Sequence, residues 1–245
     1  MPTLSLGSAS AELIQDLVAA NRILASEGVL DGFGHVSTRH DKDPGRFFLA
    51  RNMAPALVTA GDVMEFDLDS NPIDARGHTA YLERFIHSEI YRVHPEVQAV
   101  VHSHSPAVIP FGVVGVALRP IFHLGGFLGV GVPVFEIRDA GGLATDMLIR
   151  NATLGAALAK TLGSAPVALL RGHGNVVVGG SVREAVFRAI YTEVNARLES
   201  EALRLGNGQV VFLNEEEAKV AAETNSAQIG RPWELWKATA LAESR

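Results

Sequence analysis

The sequence predicts a layered α/β fold in a single domain. Helix-period and strand-like segments alternate along the chain, no repeat or low-complexity tract interrupts them, and no shift in composition divides the 245 residues. Hydrophobic residues make up 47% and charged residues 20%, enough apolar side chain for a substantial core.

Residues 1–10 carry no Lys or Arg and no long apolar run, so they read as a loose arm and not as a secretory or transit signal. Leu13, Leu17, Ala20 and Leu24 recur at helical spacing and Gly28 stops that helix. Two short strands are expected at 46–50 and 63–68, joined by a Pro- and Gly-punctuated connection over 52–62. A helix is expected over 80–93, with Phe85, Ile86, Ile90 and Val93 facing the core and Glu83 and His87 on one face. Ala99, Val100 and Val101 open a strand over 98–104, which Ser105-Pro106 ends.

The most apolar stretch, 107–134, is broken by Pro110, Arg119, Pro120, His123 and Pro133, so no transmembrane span is expected. Two strands, 167–170 and 175–178, bracket Gly172-His173-Gly174. Ser181 and Glu184 form a capping box for a helix whose Val182, Val186, Ile190, Val194 and Leu198 fall at four-residue spacing and which closes at Gly206. A last helix starts at Asn214, with Glu215, Glu216 and Glu217 in its first turn, and Trp233 and Trp236 require burial or a neighbouring subunit.

Composition narrows the chemistry. The net charge is −6 with the acids scattered, so no basic surface for nucleic acid is visible and a small molecule is the expected partner. Cys is absent, which removes disulfides, thiolate metal sites and thiol nucleophiles and is compatible with a cytoplasmic protein. Any metal must be held by His, Asp or Glu.

His102-Ser103-His104 is the strongest signal. Alternate residues of a strand share a face about 6.6 Å apart, close enough for two imidazoles to meet one ion. A bare His-x-His is as often an ordinary pair, but this one ends an apolar strand, where polar side chains are costly to bury unless something satisfies both. His173 projects from a turn between two glycines and offers a third neutral imidazole. Three protein ligands leave open coordination positions, as a catalytic ion requires. Glu83, on the preceding helix, is a candidate general base, although a solvated helix carboxylate is the commoner fate of such a residue.

The order and spacing of Glu83 to His87, of His102-Ser103-His104 after Ala99-Val100-Val101, and of His173-Gly174 resemble the class II aldolase/adducin family, over about 13–205. The resemblance implies a three-layer α/β/α sandwich with a central mixed, largely antiparallel sheet, and a homotetramer with sites between subunits. It implies one divalent ion per subunit, Mn²⁺ or Zn²⁺, on His102, His104 and His173, with Glu83 as the catalytic acid/base. Members acting on sugar phosphates bind phosphate where this chain reads Gly34-His35-Val36-Ser37, Ala50-Arg51-Asn52 and Tyr81-Leu82, so a phosphosugar is not expected. These replacements, with 81–87, 119–127 and 191–197, are similar to the branch that decarboxylates hydroxylated aromatic or pyridine carboxylates.

The expected activity is therefore that of a metal-dependent carbon–carbon lyase releasing carbon dioxide from an aromatic carboxylate, with Glu83 in its acid form protonating the ring carbon and its pKa raised accordingly. The alternative is an aldolase or epimerase on a non-phosphorylated hydroxy-carbonyl compound. A metal hydrolase is counted against by Ser105-Pro106 following the His pair, and a catalytically silent interaction protein by the retention of three imidazoles and Glu83 together. Candidates for substrate binding are His35, Arg51 and Arg171 for a second carboxylate, and His123 and Tyr191 to close over the ring. Residues like His35, Arg51 and Arg171 more often serve an ordinary salt bridge or cap, and Tyr191 is more often core by periodicity, since it adjoins the stripe at Ile190.

Overall fold

Short strands with alternating side chains build the centre of the molecule. The computed structural model describes residues 9–242. In chain order the elements are α1 (Ala11–Ser26), β1 (His35–Arg39), β2 (Arg46–Ala50), β3 (Val63–Asp67), α2 (Arg84–Val93), β4 (Ala99–Ser103), β5 (Val134–Phe135), a short α3 (Arg138–Gly141), α4 (Ala152–Leu162), β6 (Val167–Leu170), β7 (Gly174–Gly179), α5 (Val182–Leu205), α6 (Glu215–Ser226) and α7 (Gly230–Ala242).

The strands form one 7-stranded sheet in the order β3-β2-β1-β4-β7-β6-β5. Every neighbouring pair is antiparallel except β5 and β6, which run parallel. Strand side chains alternate between faces. Val36, Phe48, Ala99, Val101, Leu169 and Val177 therefore join one core with α1, α5 and α7. Phe47, Leu49, Val100, Leu170, Val176 and Val178 join a second core with Ile86 and Ile90 of α2 and Leu154 and Leu158 of α4. Helices thus cover both faces, giving the three-layer sandwich and the mixed, largely antiparallel sheet that the family resemblance implies. No helix among the described residues is long and apolar enough to cross a membrane.

Several elements differ from the sequence-based expectation. Residues 1–8 of the expected arm lie outside the described residues. Its last residue, Ser10, caps α1 by accepting the Leu13 N–H at 3.3 Å and donates its own N–H to Asp41 at 3.1 Å. The helix expected from residue 80 begins at Arg84, which leaves Glu83 at the N-cap. Val93 stands 51% exposed at its far end, outside the core assigned to it.

The Val182-to-Leu198 stripe does not stay on one face. A helix turns about 100° per residue, so strict four-residue spacing drifts by about 40° per step. Val182, Val186 and Ile190 are buried, Val194 is half-buried and Leu198 faces solvent. The capping box is half made: the Ser181 hydroxyl accepts the Glu184 N–H, but the Glu184 carboxylate takes the Gly180 N–H, not that of Ser181. Trp233 and Trp236 are both buried within this chain, in the core shared by α1, α5 and α7.

Candidate metal centre and active site

Period-two alternation puts His102 on the α2 face of the sheet, alongside Val100 and opposite in direction to Val101. The strand ends at Ser103, one residue before His104, yet the two rings still meet, with centroids 5.2 Å apart. On the neighbouring strand His35 pairs directly with His102, so both side chains share that face and their rings lie 5.1 Å apart.

His173 stands in the hairpin between β6 and β7, where Gly172 adopts φ +63°. A Cβ on Gly174 would lie 2.0 Å from the Ser103 carbonyl oxygen, so glycine here lets β7 approach the end of β4 and brings His173 over the His-x-His pair. Its ring centroid is 4.9 Å from that of His102 and 4.8 Å from that of His104. Glu83 enters from the N-cap of α2, whose backbone its side chain does not cap. Its Oε1 accepts the Ile149 N–H at 2.9 Å, and its Oε2 lies 3.5 Å from His102 Nε2 and 3.6 Å from His173 Nε2.

One ligand-capable atom from each of Glu83, His102, His104 and His173 falls within 4.8 Å of the others. His102 forms the buried floor, and His104 and His173 are half-buried at the rim. His102 Nδ1 lies 3.1 Å from the Asn175 carbonyl oxygen and donates its proton there, which leaves Nε2 as the nitrogen turned to the other ligand atoms. That Nε2 is buried and has no hydrogen-bond partner. Across the rim, Nε2 of His104 and Nε2 of His173 face each other at 3.0 Å. Two nitrogens about 2.1 Å from one tetrahedral ion stand roughly 3.4 Å apart, so this donor set fits a divalent cation.

Electrostatics keep the set ready for a cation. Burial above all, and then the neighbouring His102, lower the His104 imidazole and hold that of His173 down to about 4. Burial pushes the Glu83 carboxyl up, but His102, His173 and the Ile149 amide outweigh it and hold it down to about 2. The expected raised pKa is therefore corrected: Glu83 rests as a carboxylate.

The substrate-binding candidates divide. His35 is buried beside His102, with its ring 4.6 Å from that of Tyr81. Arg51 is paired with Asp62 at 2.6 Å, and Arg171 with Glu136 at 2.6 Å. His123 is exposed in a cleft bordered by Leu213, Glu216 and Val220. Tyr191 packs against Phe187, Phe122 and Trp236 in the core on the opposite face of the sheet. Within one chain neither His123 nor Tyr191 meets the imidazole cluster.

Two further residues draw notice. Phe33 is 69% exposed, with its ring 6.2 Å from that of His104 at the rim. His87 is fully buried with both ring nitrogens engaged, Nε2 by His35 and Nδ1 by Ser37. The four-residue spacing from Glu83 flagged the helix face of His87 but not these partners.

Comparison with known proteins identifies the family. A family profile described as the Class II Aldolase and Adducin N-terminal domain matches residues 15–200. Decarboxylase tropJ of Talaromyces stipitatus is 40% identical over 245 aligned residues, covering 91% of this chain and 92% of its own. The 3,4-dihydroxyphthalate decarboxylase of Arthrobacter keyseri is 34% identical over 205 residues, covering 78% of each chain. In structure, an aldolase II superfamily protein from Pseudomonas syringae aligns over 97% of this chain and 95% of its own at 22% identity with a TM-score of 0.81, a likeness of fold. The chain belongs to the class II aldolase and adducin family.

Proposed function

We propose that this chain is a metal-dependent carboxy-lyase acting on a hydroxylated aromatic carboxylate. The observation that carries the reading is the convergence of three imidazoles and the Glu83 carboxylate within 4.8 Å, open on the side of His104 and His173. His102, His104 and His173 would hold one divalent cation, Mn²⁺ or Zn²⁺. Bound there, it supplies a Lewis acid that draws electron density away from the carbon whose bond breaks.

Glu83 does the proton work. As a carboxylate it takes the proton of the ring hydroxyl when the substrate docks, leaving a phenolate. It then gives that proton to the carboxyl-bearing ring carbon, the carbon–carboxylate bond breaks, and its electron pair returns to the ring as carbon dioxide leaves. The phenolate regains a proton from solvent on release, so one proton is consumed per turnover. The hydrogen bond from Ile149 ties up Oε1 and leaves Oε2, beside the imidazoles, to carry the proton.

The relatives named as decarboxylases support loss of carbon dioxide over release of an aldehyde. The exposed Phe33 ring at the rim favours a flat, apolar substrate. Arg51 and Arg171 would meet a second carboxylate by exchanging Asp62 and Glu136 for it. His123 and Tyr191 would reach the ring only from a neighbouring subunit of the implied homotetramer. Incubating the Mn²⁺- or Zn²⁺-loaded protein with ortho-hydroxybenzoates and hydroxypyridine carboxylates should release carbon dioxide. Aldehyde release from aldol donors, with none of these acids consumed, would overturn the reading.

A further inference from the structure

Beside the imidazole cluster a chain of hydrogen bonds runs through the core between α2 and β1. The Tyr91 hydroxyl lies 2.7 Å from Ser37 Oγ, Ser37 Oγ lies 2.6 Å from His87 Nδ1, and His87 Nε2 lies 2.6 Å from His35 Nδ1. All four side chains are buried. They lie on the α2 face of the sheet, where His35 is the direct cross-strand neighbour of His102.

Donor accounting sets the direction of this chain. His35 Nδ1 and His87 Nε2 face each other at 2.6 Å, so one of them must donate a proton and the other accept it, and burial holds the His87 ring at about 3, neutral with one proton. Burial likewise keeps the Tyr91 hydroxyl protonated. Were the His35 proton on Nδ1, His87 Nδ1–H would donate to Ser37, and either the Ser37 or the Tyr91 O–H would be left as a buried donor with no acceptor in this chain of bonds. The opposite order satisfies both hydroxyls and both His87 nitrogens and moves the unmatched donor to His35 Nε2. Tyr91 donates to Ser37, Ser37 donates to His87 Nδ1, and His87 Nε2–H donates to His35 Nδ1.

We infer that His87, Ser37 and Tyr91 are positioning residues that fix His35 as an Nε2–H donor, and that His35 gives this hydrogen bond to an oxygen of the acid bound at the cluster. Its Nδ1 is committed to α2, so Nε2 is the nitrogen left for a ligand. The identity of the acceptor rests on the carboxy-lyase reading; the tautomer does not. A hydrogen bond from a buried neutral donor positions the acid without adding a second charge beside the cation. His35 thus selects for an oxygen acceptor at one place on the ring.

The tautomer is read directly by ¹⁵N NMR of the Zn²⁺-loaded, histidine-labelled protein, with the His35 signals assigned by their loss in His35→Phe. A protonated Nε2 and a bare Nδ1 are expected, and a proton on Nδ1 overturns the inference. His35→Phe, which keeps a ring against Tyr81, should raise KM for the preferred ortho-hydroxy acid by tenfold or more, with metal content retained and kcat within a few-fold. Ser37→Ala should raise KM several-fold and show both His35 tautomers. An unchanged KM in His35→Phe overturns the substrate contact, and a single unchanged tautomer with unchanged KM in Ser37→Ala overturns the positioning role. If no acid is turned over at all, the carboxy-lyase reading fails while the NMR spectrum still decides the tautomer.

Discussion

Glu83 Oε2 lies 3.5 Å from Nε2 of His102, a buried imidazole nitrogen of the cluster that has no hydrogen-bond partner. The carboxylate reaches it from the N-cap of α2, where an acidic side chain ordinarily accepts N–H groups of the first turn. Here it leaves those N–H groups and accepts the Ile149 amide, 66 residues away in sequence. The helix dipole still favours its negative charge, in keeping with a carboxyl held down to about 2.

Glu83→Gln keeps an acceptor for Ile149 and nearly the same volume but cannot shuttle a proton. Metal content should stay near that of the parent protein, while kcat for carbon dioxide release falls by about 10²–10⁴. Metal analysis alongside steady-state kinetics checks this. Parallel loss of metal and turnover would make Glu83 a ligand and not the proton carrier.

Removal of the cation should be visible without any substrate. A metal bound at 100 times its Kd stabilises the folded chain by about 2.7 kcal/mol, so chelation should lower Tm and re-addition of Mn²⁺ or Zn²⁺ should restore it. His102→Ala deletes the floor of the cluster and should abolish that metal-dependent rise in Tm. A variant that still gains Tm on metal addition would place the ion elsewhere.

The hairpin bearing His173 depends on the absence of a side chain at Gly174. Adding Cβ there puts it 2.0 Å from the Ser103 carbonyl oxygen, backbone against backbone, so β4 and β7 must separate. Gly174→Ala should cost about 1–3 kcal/mol in denaturant unfolding and weaken metal binding, because His173 moves away from His102 and His104. Gly32, with nothing within 4 Å of its ideal Cβ, is the control, and Gly32→Ala should leave unfolding within about 0.5 kcal/mol of the parent. Equal stability of the two variants would show that the hairpin yields without strain.

The imidazole cluster was legible because each of its parts obeys a short-range rule. His102 and His104 follow an apolar strand at period two, and His173 sits between glycines in a hairpin turn. β1 broke those rules: His35, Ser37, Thr38 and Arg39 are all buried in a five-residue strand with Val36 as its apolar member. Their polar groups are satisfied by distant partners, Ser37 by His87 and Arg39 by the carbonyls of Val97, Tyr91 and His94, which no local pattern encodes. α4 did carry a signal, with Asn151 as N-cap, Leu154, Leu158 and Leu162 at helical spacing and Gly163 beyond. The charge state of Glu83 was beyond reach for the same reason as β1, since it is set by imidazoles and an amide brought in by other elements. Arg51 and Arg171 had the right chemistry for a carboxylate, but the carboxylates they meet are Asp62 and Glu136 of the chain itself.

Glu199 gives the chain a pH-dependent stability unrelated to the cluster. It is fully buried on α5, where Oε2 accepts the Arg119 N–H at 2.9 Å and Oε1 has no partner. Burial pushes its carboxyl up from the usual 4.5 to about 7, against a smaller pull from the Arg119 amide and guanidinium. Between those two values the folded chain keeps a proton that the unfolded chain has released, so this contribution is fully present below about pH 4.5 and is lost as pH rises through 7. The loss is on the order of 3 kcal/mol. Glu199→Gln keeps an acceptor for Arg119 and cannot ionise, so its Tm should fall less than that of the parent between pH 5 and pH 8, with the gap opening toward the alkaline end. Thermal unfolding across that range checks this, and parallel curves would mean that Glu199 ionises without cost where it stands.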